Sequence, residues 1–447
     1  MSAAHRETSL ETKLAALQCH FTWDLQTNDN ELARIRDGLL DIGTDERNQW
    51  LGHIYNLLGY IHFLLKCPDD ARKYFTRAAE AFCHTRGADE GPWLLVNYAN
   101  VAWLHYHNGD EAKSQEWLSK ANALLEEYQS SSQNNLHAEI YAEKGWALLK
   151  YRSKIERSLA SDYLQKASEM QPDMVEWYVS FVSASLNYPE TCPDMLEKMK
   201  NAKRQDPENL FLAAQYLMVR ARNGEQVLDK VRKLATKIMR NPVSSYSGLK
   251  TILTIYQIYD SVDEAIALAE EALRNHPGVR YLKRCAALCY KWKVISPNSH
   301  PMSNQEIKRA IDLHKDVISL YPDSSFVKKM DLATIYTKSA HCSDKAGEIF
   351  QELLESRLEP PEKQVLFNIY AKHVFFHLKD RNKSLHYHIK AVEIPEESLF
   401  RRHSIRELHK AMNRDNNHPM RGEIEECLNK LQIHFDPLDP EELSGSV

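Results

Sequence analysis

Two pairs of side chains with metal-binding chemistry are spaced one helical turn apart, His373 with His377 and Cys285 with Cys289. Side chains at i and i+4 share one face of a helix. A zinc site needs a third and a fourth ligand, and hydrolysis also needs a general base, which neither pair supplies. The sequence also lacks G-x-G-x-x-G, G-x-x-x-x-G-K-[ST], G-x-S-x-G and H-E-x-x-H. We therefore predict that the protein is not an enzyme, needs no cofactor and binds no metal.

Positive charge is concentrated in the middle of the chain. Residues 198–250 contain 12 basic and four acidic residues, although the whole chain has a net charge of −5. Residues 280–293 add five basic residues and three aromatic residues with no acidic residue. A concave basic surface would suit phosphates, because neutralising them releases counterions. The alternative is a solvated basic face, since helical periodicity turns about half of these side chains outward.

The composition is typical of an ordered intracellular protein. The 447 residues are 43% hydrophobic, which is enough for a large core. No stretch of the sequence approaches the roughly 18 uncharged apolar residues that a membrane-spanning helix needs. The first residues also lack the pattern of a secretory signal. The eight cysteines are scattered without a C-x-x-C spacing, as is usual for reduced thiols. We expect a soluble, cytoplasmic protein with no membrane partner.

A helical pair with small residues at fixed positions recurs along the chain. Leu58, Gly59, Ala71, Phe75 and Ala78 form the clearest copy of the tetratricopeptide pattern. Further copies lie at residues 101–121, 145–172, 253–277 and 333–350, with weaker copies at 310–322 and 371–395. We predict an all-α fold of the tetratricopeptide-repeat α-solenoid type, a superhelix of about eight to nine helix pairs with a basic central groove.

The repeats divide the chain into four predicted segments. Residues 1–50 form an N-terminal helical segment that packs on the first repeat. Residues 51–240 form an N-terminal repeat array, and residues 241–434 form a C-terminal one. Residues 435–447 are acidic and contain prolines, which predicts a flexible tail.

Three segments of the sequence resemble those of a known family, and the generic repeat pattern does not require the residues of CHFTW and GWALLK within them. They are Leu17–Leu25, which includes CHFTW, then Asn56–Tyr60, and Gly145–Lys150, which reads GWALLK. Together they resemble the interferon-induced proteins with tetratricopeptide repeats, from about residue 10 to about residue 430. The resemblance implies a cytosolic antiviral effector. In the RNA-binding members of that family, a positively charged central pocket holds the triphosphorylated or capped 5′ end of single-stranded RNA.

The resemblance also implies RNA-binding residues. Lys150 stands where the family places a phosphate-binding lysine, and Trp146 where some members stack the cap base, although a buried core aromatic is the alternative for Trp146. Lys250 stands where an arginine is usual, which keeps the charge but loses the bidentate fork. Arg284 falls where a cap-binding member has a histidine.

Other positions follow or depart from the family pattern. Asn209 and Phe211 occupy positions that line the path of the strand, with Phe211 replacing a tyrosine. Gly38 and Ile42 lie where the 5′-end binders carry polar or basic side chains, and Asn187 lies where they carry an arginine. Each lost charge-assisted hydrogen bond is worth about 1.5–3 kcal/mol, so these departures weigh against triphosphate selectivity.

Two cations are candidates to replace the missing charges. Arg34 lies one turn before Gly38, and Arg157 follows the third repeat's first helix. We predict a non-enzymatic innate-immune antiviral effector that binds single-stranded RNA with a modified 5′ end and keeps it from translation. The alternative is a protein-interaction adaptor of the antiviral response, which acts through partners of the translation or antiviral machinery, or through oligomers within the family, without recognising RNA ends.

Overall fold

The structure is a computed structural model that describes residues 9–25, 27–43, 48–128, 136–151, 154–185, 195–296, 302–339, 343–414 and 418–431. The acidic tail predicted at residues 435–447 and Asn187 lie outside the described residues. Every regular element of the described residues is helical, which confirms the prediction of an all-α protein. None of the described helices is both long and apolar enough to span a membrane.

The helices fall into two compact units, residues 1–261 with 274–282, and residues 262–273 with 283–447. The first contains α1 (Leu10–Ala15), α2 (Asp29–Leu40), α3 (Leu51–Leu64), α4 (Pro68–Arg86), α5 (Leu95–His107), α6 (Glu111–Glu127), α7 (Ala138–Leu148), α8 (Lys154–Met170), α9 (Val175–Ser185), α10 (Met195–Gln205), α11 (Leu210–Arg222), α12 (Leu228–Ile238) and α13 (Leu249–Ile258). The helices α14 (Val262–Asn275) and α15 (Arg280–Ile295) contribute to both units.

The second unit continues with α16 (Asn304–Leu320), α17 (Phe326–Lys338), α18 (Ser343–Glu355), α19 (Pro360–His373), α20 (Arg381–Glu393), α21 (Leu399–Arg414) and α22 (Arg421–Lys430). A π-helical turn, Val374–Leu378, follows α19. The division into repeat arrays at residues 51–240 and 241–434 stays a prediction.

Small residues bring consecutive helices of the first unit together. A Cβ atom on Gly59 of α3 would lie 2.6 Å from the ring of Phe75 in α4. A Cβ atom on Gly145 of α7 would lie 2.8 Å from Leu164 in α8. Because side chains in close-packed interiors do not approach so closely, both positions need glycine. Ala71 of α4 is fully buried as well. The residues that defined the repeat pattern therefore form the core between paired helices.

The turn between α3 and α4 is a Schellman motif. The Cys67 N–H donates to the His62 carbonyl oxygen at 2.9 Å, and the Lys66 N–H donates to the Phe63 carbonyl oxygen at 3.0 Å. Lys66 adopts a left-handed φ of 63°, as this motif requires. Pro68 takes the first position of α4, where a backbone N–H would have no partner within the helix. The turn therefore fixes the end of α3 against the start of α4.

The second unit uses the same pairing. Ala333 of α17 packs with Ala346 and Phe350 of α18, and each of the three side chains is at most 1% exposed. These are positions that the repeat pattern predicts. The helix α16 begins with a capping box in which the Ser303 hydroxyl accepts from the Glu306 N–H and the Glu306 carboxylate accepts from the Ser303 N–H.

Candidate functional site

A cavity of about 760 Å³ lies within the first unit. It is bounded by the residues before α3, the end of α7, the start of α9, the start of α11 and the segment between α12 and α13. The residues that line it include Ile42, Trp50, Trp146, Lys150, Glu176, Asp206, Glu208, Asn209, Phe211 and Tyr246. Ligand pockets usually measure roughly 300–1,000 Å³, so the volume suits part of a nucleotide chain. We call this site the Lys150 cavity.

Lys150 is held at the cavity wall by two aromatic residues. Its Nζ donates to the Tyr246 Oη at 2.8 Å and lies 4.0 Å from the centroid of the Trp146 indole. A cation over an indole is stabilised by the ring quadrupole, by about 0.5–2 kcal/mol. The backbone carbonyl oxygen of Lys150 accepts a hydrogen bond from Arg34 at 3.0 Å. The ammonium group therefore has a defined position before any ligand arrives.

Trp146 is a wall of the cavity and also a core residue. It is 1% exposed, and its ring stacks on Trp50 with centroids 5.5 Å apart and planes 15° apart. Lys150 covers the indole further. A base can stack on Trp146 only after a neighbour moves, and Lys150 is the neighbour with a flexible side chain. Trp146 is therefore a buried core aromatic, as one interpretation of the sequence predicted. It also lies at the cavity, where the other interpretation, stacking of the cap base, requires it to be.

Asn209 and Phe211 line the cavity from the start of α11. The Asn209 Oδ1 caps the helix by accepting from the Leu212 N–H at 2.9 Å, and its Nδ2 donates to the Asp206 Oδ2 at 2.9 Å. The Phe211 ring lies 5.2 Å from the ring of Tyr246. Asn209 is thus held by its own helix and neighbouring carboxylate, whereas Phe211 supplies apolar wall.

The positions on and after α2 differ in their relation to the cavity. Arg34 forms an ion pair with Glu31 and reaches the Lys150 carbonyl oxygen, but it does not line the cavity. Ile42 lines it and is 4% exposed. A Cβ atom on Gly38 would meet no atom within 4 Å, so a side chain would fit there.

The remaining predicted site residues lie elsewhere. Lys250 is exposed on α13, where its backbone N–H donates to the Tyr281 Oη at 3.3 Å, and it does not line the cavity. Arg284 belongs to the second unit and lies 5.5 Å from the centroid of the Tyr321 ring. The side chain of Arg157 is outside the described residues. The cavity thus brings together Lys150, Trp146, Asn209 and Phe211 of the eight predicted residues.

Comparison with known proteins gives a consistent result, although no family model matches the chain. The human antiviral innate immune response effector IFIT1 is 26% identical over 431 residues, which cover 92% of this chain and 89% of that protein. Human interferon-induced protein with tetratricopeptide repeats 2 is 26% identical over 408 residues, which cover 88% and 85%. The chain resembles the interferon-induced proteins with tetratricopeptide repeats. The resemblance predicted from CHFTW and GWALLK is confirmed.

Solved structures of IFIT1 share the fold. A monomeric mutant of IFIT1 with Gppp-AAAA has a TM-score of 0.70 at 25% identity, and 91% of each chain is covered. A human IFIT1 dimer with PPP-AAAA has a TM-score of 0.67 at 24% identity, covering 95% of this chain and 96% of that one. The predicted tetratricopeptide-repeat fold is thereby confirmed.

The Lys150 cavity is less basic than expected. The resemblance to the interferon-induced proteins with tetratricopeptide repeats implied a positively charged central pocket. Among the described residues that line the cavity, Lys150 is the one lysine or arginine, and Glu176, Asp206 and Glu208 contribute carboxylates. Arg280, counted in the basic segment, is engaged by acidic residues, with its Nε 2.9 Å from the Asp41 Oδ1. The aromatic and acidic wall is therefore the dominant feature of the site.

The basic surplus of residues 198–250 lies outside the cavity. None of the twelve cations, all of them described, lines it. Lys230, Lys233 and Lys237 are exposed at i, i+3 and i+7 along α12, and exposed Arg240 follows at i+10. We call these four residues the α12 stripe. The buried residues of α12, among them Val231, form its apolar face. Because the helix is amphipathic, the cations face solvent.

The CHFTW segment belongs to a buried polar network that the sequence did not reveal. The Asn100 Nδ2 donates to the His20 Nδ1 at 3.0 Å, and the Asn56 Nδ2 donates to the Glu143 Oε1 at 2.8 Å. The His20 Nε2 lies 3.9 Å from the Glu143 Oε1. Burial raises the pKa of Glu143 to about 8 and lowers the pKa of His20 to about 3. The network is therefore uncharged at neutral pH and ties the segment to α3, α5 and α7.

Proposed function

We propose that the protein is a non-enzymatic, cytoplasmic antiviral effector that binds the 5′ end of single-stranded RNA in the Lys150 cavity and keeps that RNA from translation. The observation that carries this proposal is the Lys150 ammonium, held between the Tyr246 hydroxyl and the Trp146 indole in a cavity of about 760 Å³. Single-stranded RNA is recognised by cations on its phosphates and by stacking of its bases on aromatic rings. The likeness to an antiviral effector and to an IFIT1 structure with Gppp-AAAA supports it.

Binding of RNA would change the position of Lys150. A phosphate competes with the indole and the tyrosine hydroxyl for the ammonium group, and its contact is the strongest of the three because both partners are ionised. When Lys150 turns to a phosphate, one cover of Trp146 is removed, so a base gains access to the ring. Phosphate contact and base stacking are therefore coupled through one side chain.

The charge of the cavity favours a capped end over a free triphosphate. A free triphosphate presents its whole negative charge to Glu176, Asp206 and Glu208, with Lys150 as the compensating cation among the described lining residues. A cap methylated at N7 carries a positive charge on its base, which is attracted both by aromatic faces and by carboxylates. We therefore infer the order N7-methylated cap, unmethylated cap, triphosphate, and last 5′-hydroxyl.

The experiment compares one RNA sequence with these four 5′ ends. Fluorescence anisotropy with a 3′-labelled strand measures the affinity of wild type, Lys150→Ala and Lys250→Ala. Lys150→Ala should weaken binding of capped RNA about 10- to 100-fold, because it removes one charge-assisted hydrogen bond of about 1.5–3 kcal/mol. Lys250→Ala is the matched control, since Lys250 is exposed and outside the cavity, and should keep the preference between ends. Equal affinity of wild type for all four ends would overturn the proposal.

A second candidate function is the protein-interaction adaptor, which is favoured by one observation in the second unit. Phe375, Phe376 and Leu378 of the π-helical turn are 40%, 59% and 53% exposed. Adjacent exposed apolar side chains often mark a protein contact. In this function, the partners are proteins of the translation or antiviral machinery, or further copies from the same family. The adaptor also predicts equal, weak binding to all four RNA ends.

A further inference from the structure

Three side chains with metal-binding atoms meet at the turn between α3 and α4. One ligand atom each from His62, Cys67 and Asp70 lies within 4.8 Å of the other two. The Schellman motif holds Cys67 against the last turn of α3, through its N–H bond to the His62 carbonyl oxygen at 2.9 Å. Asp70 follows in the first turn of α4. Backbone geometry therefore brings a nitrogen, a sulfur and an oxygen ligand to one place.

The His62 imidazole has unused bonding capacity. Its Nδ1 and Nε2 atoms are both buried, and neither has a hydrogen-bond partner among the described residues. Buried polar atoms without a partner are uncommon in folded proteins, so each such atom calls for an explanation. Burial is the main cause that lowers the pKa of His62 below its ordinary value of 6.5. A neutral imidazole with a nitrogen that has no hydrogen-bond partner is suited to bind a metal.

The other two ligands are accessible and suited to negative charge. Cys67 is exposed and is the N-cap residue of α4, where the helix dipole favours an anion. Asp70 is half-buried, and its Oδ1 accepts a hydrogen bond from the Lys73 Nζ at 2.9 Å. That hydrogen bond lowers the pKa of Asp70, so the carboxylate is ionised at neutral pH. A cation entering from solvent meets both groups before it reaches His62.

We propose that His62, Cys67 and Asp70 bind a zinc ion, with water as the fourth ligand, and that this ion joins the end of α3 to the start of α4. Zinc accepts nitrogen, sulfur and oxygen ligands together, whereas magnesium and calcium select oxygen. On binding, the Cys67 thiol releases its proton to solvent and Lys73 turns away from Asp70. Tetrahedral zinc with bonds of about 2.0–2.3 Å places neighbouring ligand atoms about 3.3–3.8 Å apart. The side chains must close by about 1 Å, which rotation at the partly exposed turn allows.

The two pairs that the sequence singled out lack these features. The His373 Nδ1 lies 3.2 Å from the Thr337 Oγ1, within hydrogen-bonding distance. Cys285 and Cys289 are buried, and burial raises the pKa of Cys289 well above its ordinary value, which keeps it a thiol. The sequence pattern does not reveal the His62 group, because its ligands lie at i, i+5 and i+8 across a turn, a spacing that a single helix face does not bring together.

The test uses the full chain, freed of metal with a chelator and titrated with Co²⁺ under reducing conditions. We expect one equivalent of Co²⁺ to give the strong visible absorption of a tetrahedral site and a thiolate-to-cobalt charge-transfer band, both lost when Zn²⁺ is added. Cys67→Ser should abolish the charge-transfer band. Cys83→Ser is the matched control, because Cys83 is a half-buried cysteine on the same helix outside the group, and should keep it.

Two further variants separate a metal site from a structural turn. His62→Ala should weaken Co²⁺ binding at least tenfold. Lys73→Ala should strengthen it a few-fold, because the cation that competes for Asp70 is removed; Lys73 is 70% exposed, so this variant should fold normally. Binding of less than one equivalent, or a charge-transfer band that survives Cys67→Ser, would sink the proposal. The result is independent of RNA binding, since none of the three ligands lines the Lys150 cavity.

Discussion

The Lys150 cavity and the α12 stripe meet a polyanion in opposite ways. The cavity encloses one cation with aromatic rings and carboxylates, whereas the stripe presents four exposed cations with no enclosure. An exposed cationic row gains affinity from counterion release and does not distinguish one RNA end from another. An enclosed site gains less from charge but can recognise a particular end by shape and stacking. Affinity and end selectivity should therefore be separable in this protein.

The comparison also shows why a count of charges along the chain does not locate a binding site. The segment 198–250 is strongly basic because α12 and its neighbours keep cations on their solvent faces. In an amphipathic helix the apolar residues face the core, and the charged residues must then face water. The cavity is built instead from helix ends and from the segment between α12 and α13, where only Lys150 contributes positive charge among the described lining residues.

The largest expected effect is on the stripe. Replacing Lys230, Lys233, Lys237 and Arg240 together with glutamine should lower RNA affinity equally for all 5′ ends. The slope of log affinity against log salt should fall by about 3, because each phosphate contact of a single strand contributes about 0.7. When salt rises from 50 to 200 mM, the loss of affinity should therefore be roughly 50-fold smaller in the variant than in wild type. A salt series with each RNA end measures it.

The control for that variant replaces two exposed cations of the second unit, Lys308 and Lys315 of α16, with glutamine. It should leave the salt slope nearly unchanged. If the stripe variant instead loses the preference between RNA ends, the stripe and the cavity act as one site and the comparison fails.

A smaller effect is expected from the carboxylates of the cavity. Glu176→Gln combined with Glu208→Gln removes two negative charges from its lining. The affinity for triphosphate RNA should rise about tenfold, since two such charges near the surface repel an anion by about 1–1.5 kcal/mol in total. The affinity for RNA with an N7-methylated cap should fall or stay level, so the ratio between the two ends is the decisive measurement.

Glu197→Gln is the matched control for the carboxylates, because Glu197 lies on α10, pairs with Lys200 and does not line the cavity. The control should shift neither RNA end. Equal gains for capped and triphosphate RNA in the double variant would mean that the carboxylates act as a general field and not as part of an end-selective site.

The core of the fold was predictable because its constraints are local. Gly59 and Phe75 must meet for two helices to pack, so their spacing appears directly in the sequence. The buried polar network was not predictable, since His20, Asn100 and Glu143 are ordinary surface residue types that lie far apart in the chain. Only the folded chain shows that burial has made them part of the core.

The site was predictable where a residue lies next to a distinctive segment. Trp146 and Lys150 both belong to the GWALLK segment, and both line the cavity. Lys250 and Arg284 were inferred from isolated positions, and the structure places Lys250 outside the cavity and Arg284 in the second unit. The acidic lining was missed because Asp206 and Glu208 lie inside the segment whose net charge is most positive.

A pH-dependent difference is also expected between α7, which carries Trp146, and α12, which carries three of the four residues of the stripe. Glu143 of α7 has a folded-state pKa of about 8, against 4.5 ordinarily, and burial is the main cause. Between these values the folded state holds a proton that the unfolded state releases. The stabilising contribution is therefore complete below about pH 4.5 and is lost as pH rises through 8, with a slope of at most about 1.4 kcal/mol per pH unit.

Hydrogen exchange, corrected for the intrinsic rates, can follow α7 and α12 in the same sample between pH 6 and 9. Protection of α7 should fall relative to α12 in wild type, because ionised Glu143 is buried beside Asn56 without a compensating cation among its described partners. Glu143→Gln keeps an uncharged group at that position and should remove the difference, while Glu126→Gln, an exposed residue of α6, should not. Parallel loss of protection in both helices would show that the network stabilises the whole unit and gives the cavity no pH response of its own.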